Sequence, residues 1–287
     1  MIGFIGLGKM GCPMAIHLQR AGHRIAVYGR NQEKIAPVLD IGAELFVDLP
    51  LLAGACEIIF TMVGTPDDVC DLYFGDTGLI SNAPPNAILI DMTTSTSDVA
   101  KRIELACRDR NINALDAPVT GGVKGAETAQ LTFMVGGAKA VLNRVRPYLD
   151  TMGALILHMG DAGSGQIAKS CNQVAVAGIV LGATEALILA AKNGIPADRM
   201  LQILNSGTGS SPLLTSLQNR LQDSDSPVFF TLTQFIKDLR IASAEARRAG
   251  NNTVAAEGCL EYCEEFDGAS GSELGLHALL ELYKRTQ

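Results

Sequence analysis

Basic residues are too few and too scattered in this sequence to form a cationic face. The 287 residues carry 23 Lys and Arg against 30 Asp and Glu, a formal net charge of −7. Because no run of Lys or Arg is long enough to follow a phosphate backbone, a nucleic-acid partner is not expected. The chain also lacks internal repeats, and its length favours two domains over one.

Paired cysteine spacing is absent as well. The seven cysteines form an odd set: Cys12, Cys56, Cys70, Cys107, Cys171, Cys259 and Cys263. This favours free thiols in a reducing compartment over a disulfide framework, and small buried apolar side chains are the ordinary interpretation. Cys259 and Cys263 with His277 make a weak candidate metal site, because one CxxxC lacks a second ligand pair; we predict no metal.

No secretory signal precedes the first apolar segment, since Met1 leads directly into IGFIGLG, so cytoplasm is the expected location. The long apolar run 163–191 has to be tested as a membrane span, which needs about 20 apolar residues with few charges. Polar side chains interrupt it at Lys169, Asn172, Gln173 and Glu185. A long helix buried inside the protein accounts for the same composition, so a membrane partner is not expected.

Apolar segments and helical patterns alternate through the first half of the chain. The strand candidates are IGFIG, RIAVY, EIIFTMV, NAILIDM, INALDAPV, LTFMVGG and ALILHMG. This alternation predicts an α/β domain over 1–163, with a parallel sheet between two layers of helices. From Ser164 onward, Ala- and Leu-rich segments predict an all-helical domain over 164–287, beginning with a long helix over 164–193. Its further predicted helices are 196–205, 232–249, 254–266 and 273–284, with loops at SGTGSSP and 223–228.

The segment GFIGLGKMG places Gly6, Gly8 and Gly11 in a GxGxxG pattern. A strand pattern precedes it, and a helical pattern and a second strand follow, which is the context of a dinucleotide-binding turn. Gly6 permits the tight turn, Gly8 lets a pyrophosphate approach the backbone, and Gly11 lets the helix pack closely. We predict that the turn binds the cofactor through Gly6, Leu7, Gly8, Lys9, Met10 and Gly11.

The end of the second strand reads Tyr28, Gly29, Arg30, Asn31. A site that prefers NAD usually carries Asp or Glu here to hold the ribose 2′-hydroxyl, and no carboxylate is present. Arg30 can pair with a 2′-phosphate and Asn31 can hydrogen-bond to it, which favours NADP, with NAD as the alternative. A solvated surface arginine remains the other interpretation of Arg30.

Lys169 and Asn172 are three residues apart in the long apolar segment, so a helix places them on one face. An ammonium group in apolar surroundings is costly unless it has a partner, and such a lysine can act as a general acid. The alternative is that Lys169 lies near the helix start and reaches water. The spacing alone leaves both open.

Four segments together resemble the β-hydroxyacid dehydrogenase family: GFIGLGKMG, DAPVTGG (116–122), GQIAKSCNQ (165–173) and KDL (237–239). That family includes 3-hydroxyisobutyrate dehydrogenase, tartronate semialdehyde reductase, and the glyoxylate and succinic semialdehyde reductases. The similarity covers nearly the whole chain. It implies a Rossmann-like domain, a long interdomain helix and a helical C-terminal domain. The implied activity is NAD(P)-dependent interconversion of a small carboxylate-bearing aldehyde or ketone with its hydroxyacid.

The resemblance also implies residue roles. Lys169 matches the catalytic acid and base, and Asn172 a substrate-binding residue. Lys237 matches a lysine near both cofactor and substrate, while Asp238 is expected to orient helices. The substrate carboxylate would bind to Thr120, Gly121 and Gly122, where a glycine turn presents N–H groups and a hydroxyl adds a donor. The nicotinamide and its ribose would lie against Met62, Val63 and Thr94, for which core packing is the ordinary interpretation of Met62 and Val63.

The sequence departs from the family at two places. His17 stands where the family usually has Asn, and the SGTGSSPLL region lacks the aromatic residue that some members carry. The choice between 3-hydroxyisobutyrate and semialdehyde substrates therefore stays open. A homodimer or homotetramer is implied by the family. A non-catalytic NADP-binding interaction module of the same fold is the alternative function.

Overall fold

The computed structural model describes residues 1–29, 31–223 and 231–270. The chain divides into two compact units, Met1–Lys169 and Ser170–Gln287. This division falls inside the long helix, a few residues after the predicted boundary at 163/164. The first turn of that helix is bonded to the sheet and belongs to the first unit.

The first unit contains a nine-stranded sheet. Its strands are β1 Ile2–Ile5, β2 Ile25–Tyr28, β3 Glu44–Leu45, β4 Ile58–Thr61, β5 Ile88–Asp91, β6 Asn113–Asp116, β7 Val119–Thr120, β8 Leu131–Gly136 and β9 Gly153–Gly160. Strands β3, β2, β1, β4, β5 and β6 lie side by side and all run parallel. The chain order reverses at β1, which lies between β2 and β4, and such a switch point is where open α/β sheets bind ligands.

The far end of the sheet is mixed. Strand β8 runs antiparallel to β6 and β7, pairing Asp116 with Gly136 and Val119 with Phe133. β7 therefore continues the line of β6, and β9 pairs parallel to β8 on its other side. The sequence pattern predicted only parallel pairing. The connection 121–130 is shorter than the dozen or more residues that a parallel crossover needs, so the chain turns back instead.

Helices cover both faces of the sheet, as predicted. They are α1 Gly11–Arg20, α2 Gln32–Leu39, α3 Leu49–Ala55, α4 Pro66–Tyr73, α5 Leu79–Asn82, α6 Ser97–Arg108, α7 Gly122–Glu127 and α8 Lys139–Leu149. Side chains alternate across a strand, so neighbours enter different cores. Phe60 packs with Met14 and Leu18 on one face, whereas Ile59 packs with Tyr73 on the other.

The second unit is helical throughout its described residues. Helix α9 spans Ser164–Lys192 and leads into α10 Ala197–Ser206, α11 Pro212–Gln222, α12 Leu232–Arg248 and α13 Val254–Ser270. Its core contains Leu187, Phe235, Leu239 and Cys259. Helix α11 was not predicted; it begins at Pro212, the last residue of the predicted loop, and Ser211 caps it. The predicted helix 273–284, and all but the first residue of the predicted loop 223–228, lie outside the described residues.

Among the described residues, α9 is the one helix long and apolar enough to cross a membrane by length and composition. In its most apolar window, 39% of the residues are buried inside the protein. The core helix of a soluble protein has the same length and composition, so this finding does not by itself indicate a membrane span.

The seven cysteines are all free. Cys56, Cys107, Cys259 and Cys263 are buried, as the composition suggested. Cys171 is exposed, so the interpretation as a buried apolar side chain is wrong there. No group of three potential metal ligands occurs within the described residues, and His277 lies outside them.

Candidate active site

A cleft of about 550 Å³ opens at the carboxyl ends of β1, β2 and β4, at the switch point of the sheet. It lies entirely within the first unit. Residues from the turns that follow these strands and from the adjoining helices line it: Ile5, Gly6, Leu7, Gly8, Tyr28, Gly29, Asn31, Lys34, Ile35, Leu49, Val63, Gly64, Asp68, Asp71 and Leu72.

The three glycines of the first turn are there for different reasons. Gly6 has φ +94°, and a Cβ on it would collide with the carbonyl of Met62. A Cβ on Gly11 would collide with the carbonyl of Gly6 and lie 3.0 Å from the Phe4 ring. The fold therefore requires both. A Cβ on Gly8 would meet no atom within 4 Å. Open space over Gly8 fits a site where a pyrophosphate approaches the backbone.

The structure brings together part of the predicted cofactor set. Leu7, Asn31 and Val63 line the cleft with Gly6 and Gly8. The residues that follow lie in or beside the start of α1: Lys9 is exposed, Met10 packs partly against the core and Gly11 begins the helix.

The other predicted cofactor residues lie outside the cleft lining. Met62 packs partly against the core, and its N–H donates to the carbonyl of Ile5 at 2.8 Å. Thr94 follows β5 and is half-buried, away from the cleft lining. Arg30 lies outside the described residues.

The end of β2 carries no carboxylate toward the cleft. Tyr28, Gly29 and Asn31 line it there, followed by Lys34 on the first turn of α2. The Asn31 side chain accepts a hydrogen bond from the N–H of Lys34 at 3.3 Å and so caps α2. Lys34 was not predicted. Its position one turn after Asn31, on the helix that leaves the cleft, was the signal that could have found it.

Two carboxylates on α4 also line the cleft, Asp68 and Asp71. Asp68 accepts hydrogen bonds from the N–H and the hydroxyl of Thr65 at 2.9 and 2.7 Å, in the capping box of α4. Its charge is therefore engaged by the start of its own helix.

The predicted anion-binding turn follows β7. Thr120, Gly121 and Gly122 are all half-buried. Gly121 has φ +127° and Gly122 has φ +62°, and glycine adopts such angles without a steric penalty. The turn therefore combines two glycines with one hydroxyl group, that of Thr120.

Lys169 lies in α9, and only 8% of it is exposed. Most of the surface of this lysine is therefore covered by protein. Asn172 follows three residues later on the same helix and is half-buried. Its Oδ1 is buried and has no hydrogen-bond partner among the described residues.

The second unit holds Lys237, which is half-buried on α12. Its Nζ lies 3.2 Å from a carboxylate oxygen of Asp238. The other oxygen of Asp238 accepts a hydrogen bond from the Gln173 side chain at 2.9 Å. This bond connects α12 to α9, in agreement with the expectation that Asp238 orients helices.

Two family descriptions together cover nearly the whole chain. Residues 1–160 match the NAD binding domain of 6-phosphogluconate dehydrogenase, and residues 163–283 match the NAD-binding domain of NADP-dependent 3-hydroxyisobutyrate dehydrogenase. The chain belongs to the β-hydroxyacid dehydrogenase family. It is an NAD(P)-dependent hydroxyacid oxidoreductase.

Individual members agree with this assignment. An uncharacterized oxidoreductase of Bacillus subtilis is 42% identical over 249 residues, which are 87% of this chain and 86% of that protein. The 3-hydroxyisobutyrate dehydrogenase of Pseudomonas aeruginosa is 35% identical over 210 residues, 73% of this chain and 70% of that one. A solved structure of Mycobacterium tuberculosis 3-hydroxyisobutyrate dehydrogenase with L-serine superposes with a TM-score of 0.85 at 30% identity, covering 98% and 97% of the two chains.

His17 shows what one departure from the family does. Its Nε2–H lies 3.1 Å from the carbonyl of Ala126 and 3.0 Å from that of Glu127. The imidazole therefore connects α1 to the end of α7, so this departure affects helix packing.

The sequence analysis did not single out two buried carboxylates. Asp91 ends β5 and Asp116 ends β6, and both are almost fully buried. Burial raises the pKa of each to about 6, against hydrogen bonds that favour the ionised form. Asp116 was noticed only as the first letter of a motif, and Asp91 as part of a strand.

Proposed function

We propose that this enzyme prefers NADP and interconverts a small carboxylate-bearing aldehyde or ketone with its hydroxyacid, with Lys169 as the general acid and base. One observation carries the proposal. Lys169 is buried one helical turn after Gln166, and the Gln166 side chain is bonded to the end of β5, in the unit that contains the dinucleotide cleft.

The preference for NADP rests on charge at the end of β2. Asn31 and Lys34 line the cleft where a 2′-phosphate would lie, and the sequence adds Arg30. A dianionic phosphate is favoured by cations, whereas the ribose 2′-hydroxyl of NAD is usually held by a carboxylate, and residues 28–31 contain none. The alternative is an enzyme that accepts NAD as well.

A nicotinamide cofactor held in this cleft would supply the hydride in reduction and accept it in oxidation. Lys169 gives its proton to the carbonyl oxygen in reduction and takes it from the hydroxyl in oxidation. We propose that Thr120, Gly121 and Gly122 bind the substrate carboxylate. From the family resemblance, we also propose that Asn172 and Lys237 bind the substrate and that Lys237 contacts the cofactor.

We propose a 3-hydroxy acid of three or four carbons as the substrate class. The relative from Pseudomonas aeruginosa is named for 3-hydroxyisobutyrate, and the solved relative contains L-serine. Both compounds carry a hydroxyl group on the carbon β to a carboxylate. Both compounds thus present one anion and one C–OH group that can react, at a fixed separation.

The test combines a substrate panel with Lys169→Ala. Short 3-hydroxy acids and their semialdehydes are assayed with NADP(H) and with NAD(H), and we expect turnover with NADP(H) to be faster. Lys169→Ala should lower kcat by about 10²-fold to 10⁴-fold, because a positioned acid contributes that much. Its NADPH dissociation constant, measured by fluorescence titration, should stay within about twofold.

Lys192→Ala is the matched control, since Lys192 is exposed at the far end of the same helix and should leave kcat unchanged. Unchanged turnover in Lys169→Ala, or an equal loss of turnover and of NADPH binding, would contradict the proposal. The alternative of a non-catalytic interaction module would require the wild-type chain to show no turnover with either nicotinamide.

We further propose that the protein is a soluble cytoplasmic homodimer or homotetramer, with α9 as a core helix. Apolar side chains of α9 stay exposed in the single chain, with Ile179 at 37% and Leu189 at 65%. Burying this surface against another copy would favour association. A monomer mass in analytical ultracentrifugation would contradict it.

A further inference from the structure

Buried polar groups connect the ends of β5 and β6 to the first turn of α9. We call Thr93, Asp116 and Gln166 the edge clamp. Each is at most 4% exposed, and all three lie in the first unit. Buried polar groups in a protein interior are costly unless their hydrogen bonds are complete, so a complete set fixes geometry strongly.

Gln166 has its hydrogen-bonding groups engaged at the strand ends. Its side-chain NH₂ donates to the carbonyl of Thr93 at 2.8 Å, and its side-chain oxygen accepts from the N–H of Ser95 at 2.9 Å. Its own backbone N–H donates to Asp116 Oδ2 at 3.0 Å. The Gln166 side chain is therefore hydrogen-bonded to the segment that follows β5 through both its NH₂ group and its oxygen.

Asp116 binds the start of the helix itself. Its Oδ1 accepts from the N–H of Gly163 at 2.8 Å and its Oδ2 from that of Gln166. The first N–H groups of a helix have no partner within the helix, so this carboxylate completes them. The packing is tight, because a Cβ on Gly165 would collide with the carbonyl of Met134. Helix α9 cannot shift toward the sheet.

The clamp reaches the dinucleotide cleft through Thr93. The Thr93 hydroxyl accepts from the N–H of Val63 at 3.0 Å, and Val63 lines the cleft. The N–H of Thr93 donates to Asp91 Oδ1 at 3.1 Å, which also accepts from the Thr61 hydroxyl at 2.9 Å. Thr93 is thus bonded both to the cleft wall and to Gln166.

Lys169 follows Gln166 by one helical turn, so the clamp sets the position from which the lysine side chain extends. We propose that Asp116 and Gln166 are positioning residues for catalysis, which hold Lys169 in register with the cleft wall at Val63. This inference rests on the proposed role of Lys169. A misplacement of about 1 Å can lower a rate by about 10²-fold, so a rigid anchor next to the acid has a catalytic effect.

The carboxylate of Asp116 is buried where it binds the start of α9. Burial raises the pKa of Asp116 to about 6, so the ionised carboxylate is less favourable here than in water. The hydrogen bonds that it accepts from Gly163 and Gln166 favour the ionised form and oppose this effect.

The experiment is a double-mutant cycle between Gln166→Met and Lys169→Ala. Methionine keeps the length of the side chain and removes its hydrogen bonds. In the wild-type background, Gln166→Met should lower kcat by about 10-fold to 100-fold, with the NADPH dissociation constant within about twofold. In the Lys169→Ala background, the further loss should be under about threefold, since the clamp then has no acid to position.

Leu187→Ala is the control for lost stability. Leu187 is fully buried on the same helix, in the core of the second unit, and its truncation opens a cavity without touching the clamp. Urea unfolding should show a loss of stability at least as large as that of Gln166→Met, while kcat stays within about twofold. Asp116→Asn, which replaces one oxygen, gives a second variant with the same expected pattern if Gln166→Met does not fold.

The outcomes separate the two proposals. If Lys169→Ala keeps its turnover, the proposed function is wrong. If Lys169→Ala loses turnover while folded Gln166→Met or Asp116→Asn keeps wild-type kcat, the positioning role is wrong. Equal losses from Gln166→Met in both backgrounds, or an equal loss of kcat in Leu187→Ala, would also overturn it.

Discussion

Two glycine-containing turns follow strands of the same sheet, and glycine is required in them for different reasons. In the turn after β1, a Cβ on Gly6 or Gly11 would strike backbone atoms, and Gly6 in addition has φ +94°. In the turn after β7, Gly121 and Gly122 are fixed by their own positive φ. Gly8 has neither constraint. Steric crowding, backbone angle and ligand space are thus three separable causes, and substitutions can tell them apart.

Gly11→Ala should have the largest effect of the three. Its Cβ would collide with the carbonyl of Gly6, which is backbone and cannot rotate away. We expect a loss of about 3 kcal/mol in the free energy of unfolding, measured in urea, because the helix must move off the sheet. If Gly11→Ala is as stable as the wild type, α1 can move away from the sheet without cost. That result would weaken the distinction between the two turns.

Gly121→Ala should cost about 2 kcal/mol, since an L side chain at φ +127° is strained whatever the space around it. Gly22→Ala is the matched control. Gly22 has φ +92°, no atom within 4 Å of a Cβ, and an exposed position after α1. Both variants should lose similar stability in thermal melts, but only Gly121→Ala should raise KM for the hydroxyacid. Equal KM values would remove Gly121 from the substrate site.

Gly8→Ala should have the smallest effect on folding, within about 0.5 kcal/mol, because the added methyl enters open space. The same methyl would occupy the space where a pyrophosphate approaches the backbone, so NADPH binding should weaken by about tenfold or more. Isothermal titration measures this directly. Unaltered affinity would mean that the dinucleotide does not approach the turn at Gly8.

The sequence analysis identified those helices and strands whose pattern lies within one short segment of the chain. The GxGxxG pattern and the apolar runs predicted β1, α1 and the layers of helices, because strand burial on both faces produces continuous apolar segments. The reversal at β8 was missed, since it depends on the length of one connection. Helix α11 was missed because its Ser211 cap and Pro212 lie among the Gly and Ser residues that predicted a loop.

The sequence likewise predicted only part of the candidate site. Leu7, Asn31 and Val63 follow strand ends, and strand ends are visible in a sequence. The bonds from Asp116 to Gly163 and Gln166 join residues 47 and 50 positions apart, and the bond from His17 to Ala126 spans 109. Hydrogen bonds of that range leave no periodic signal, so the edge clamp could only be found in three dimensions.

The exposed thiol of Cys171 gives the molecule a ready attachment point. It lies two residues after Lys169, and an α-helix turns by about 200° over two residues, so it faces away from the ammonium group. A fluorophore coupled to Cys171 would report changes along α9 and leave the face of the helix that carries Lys169 unmodified.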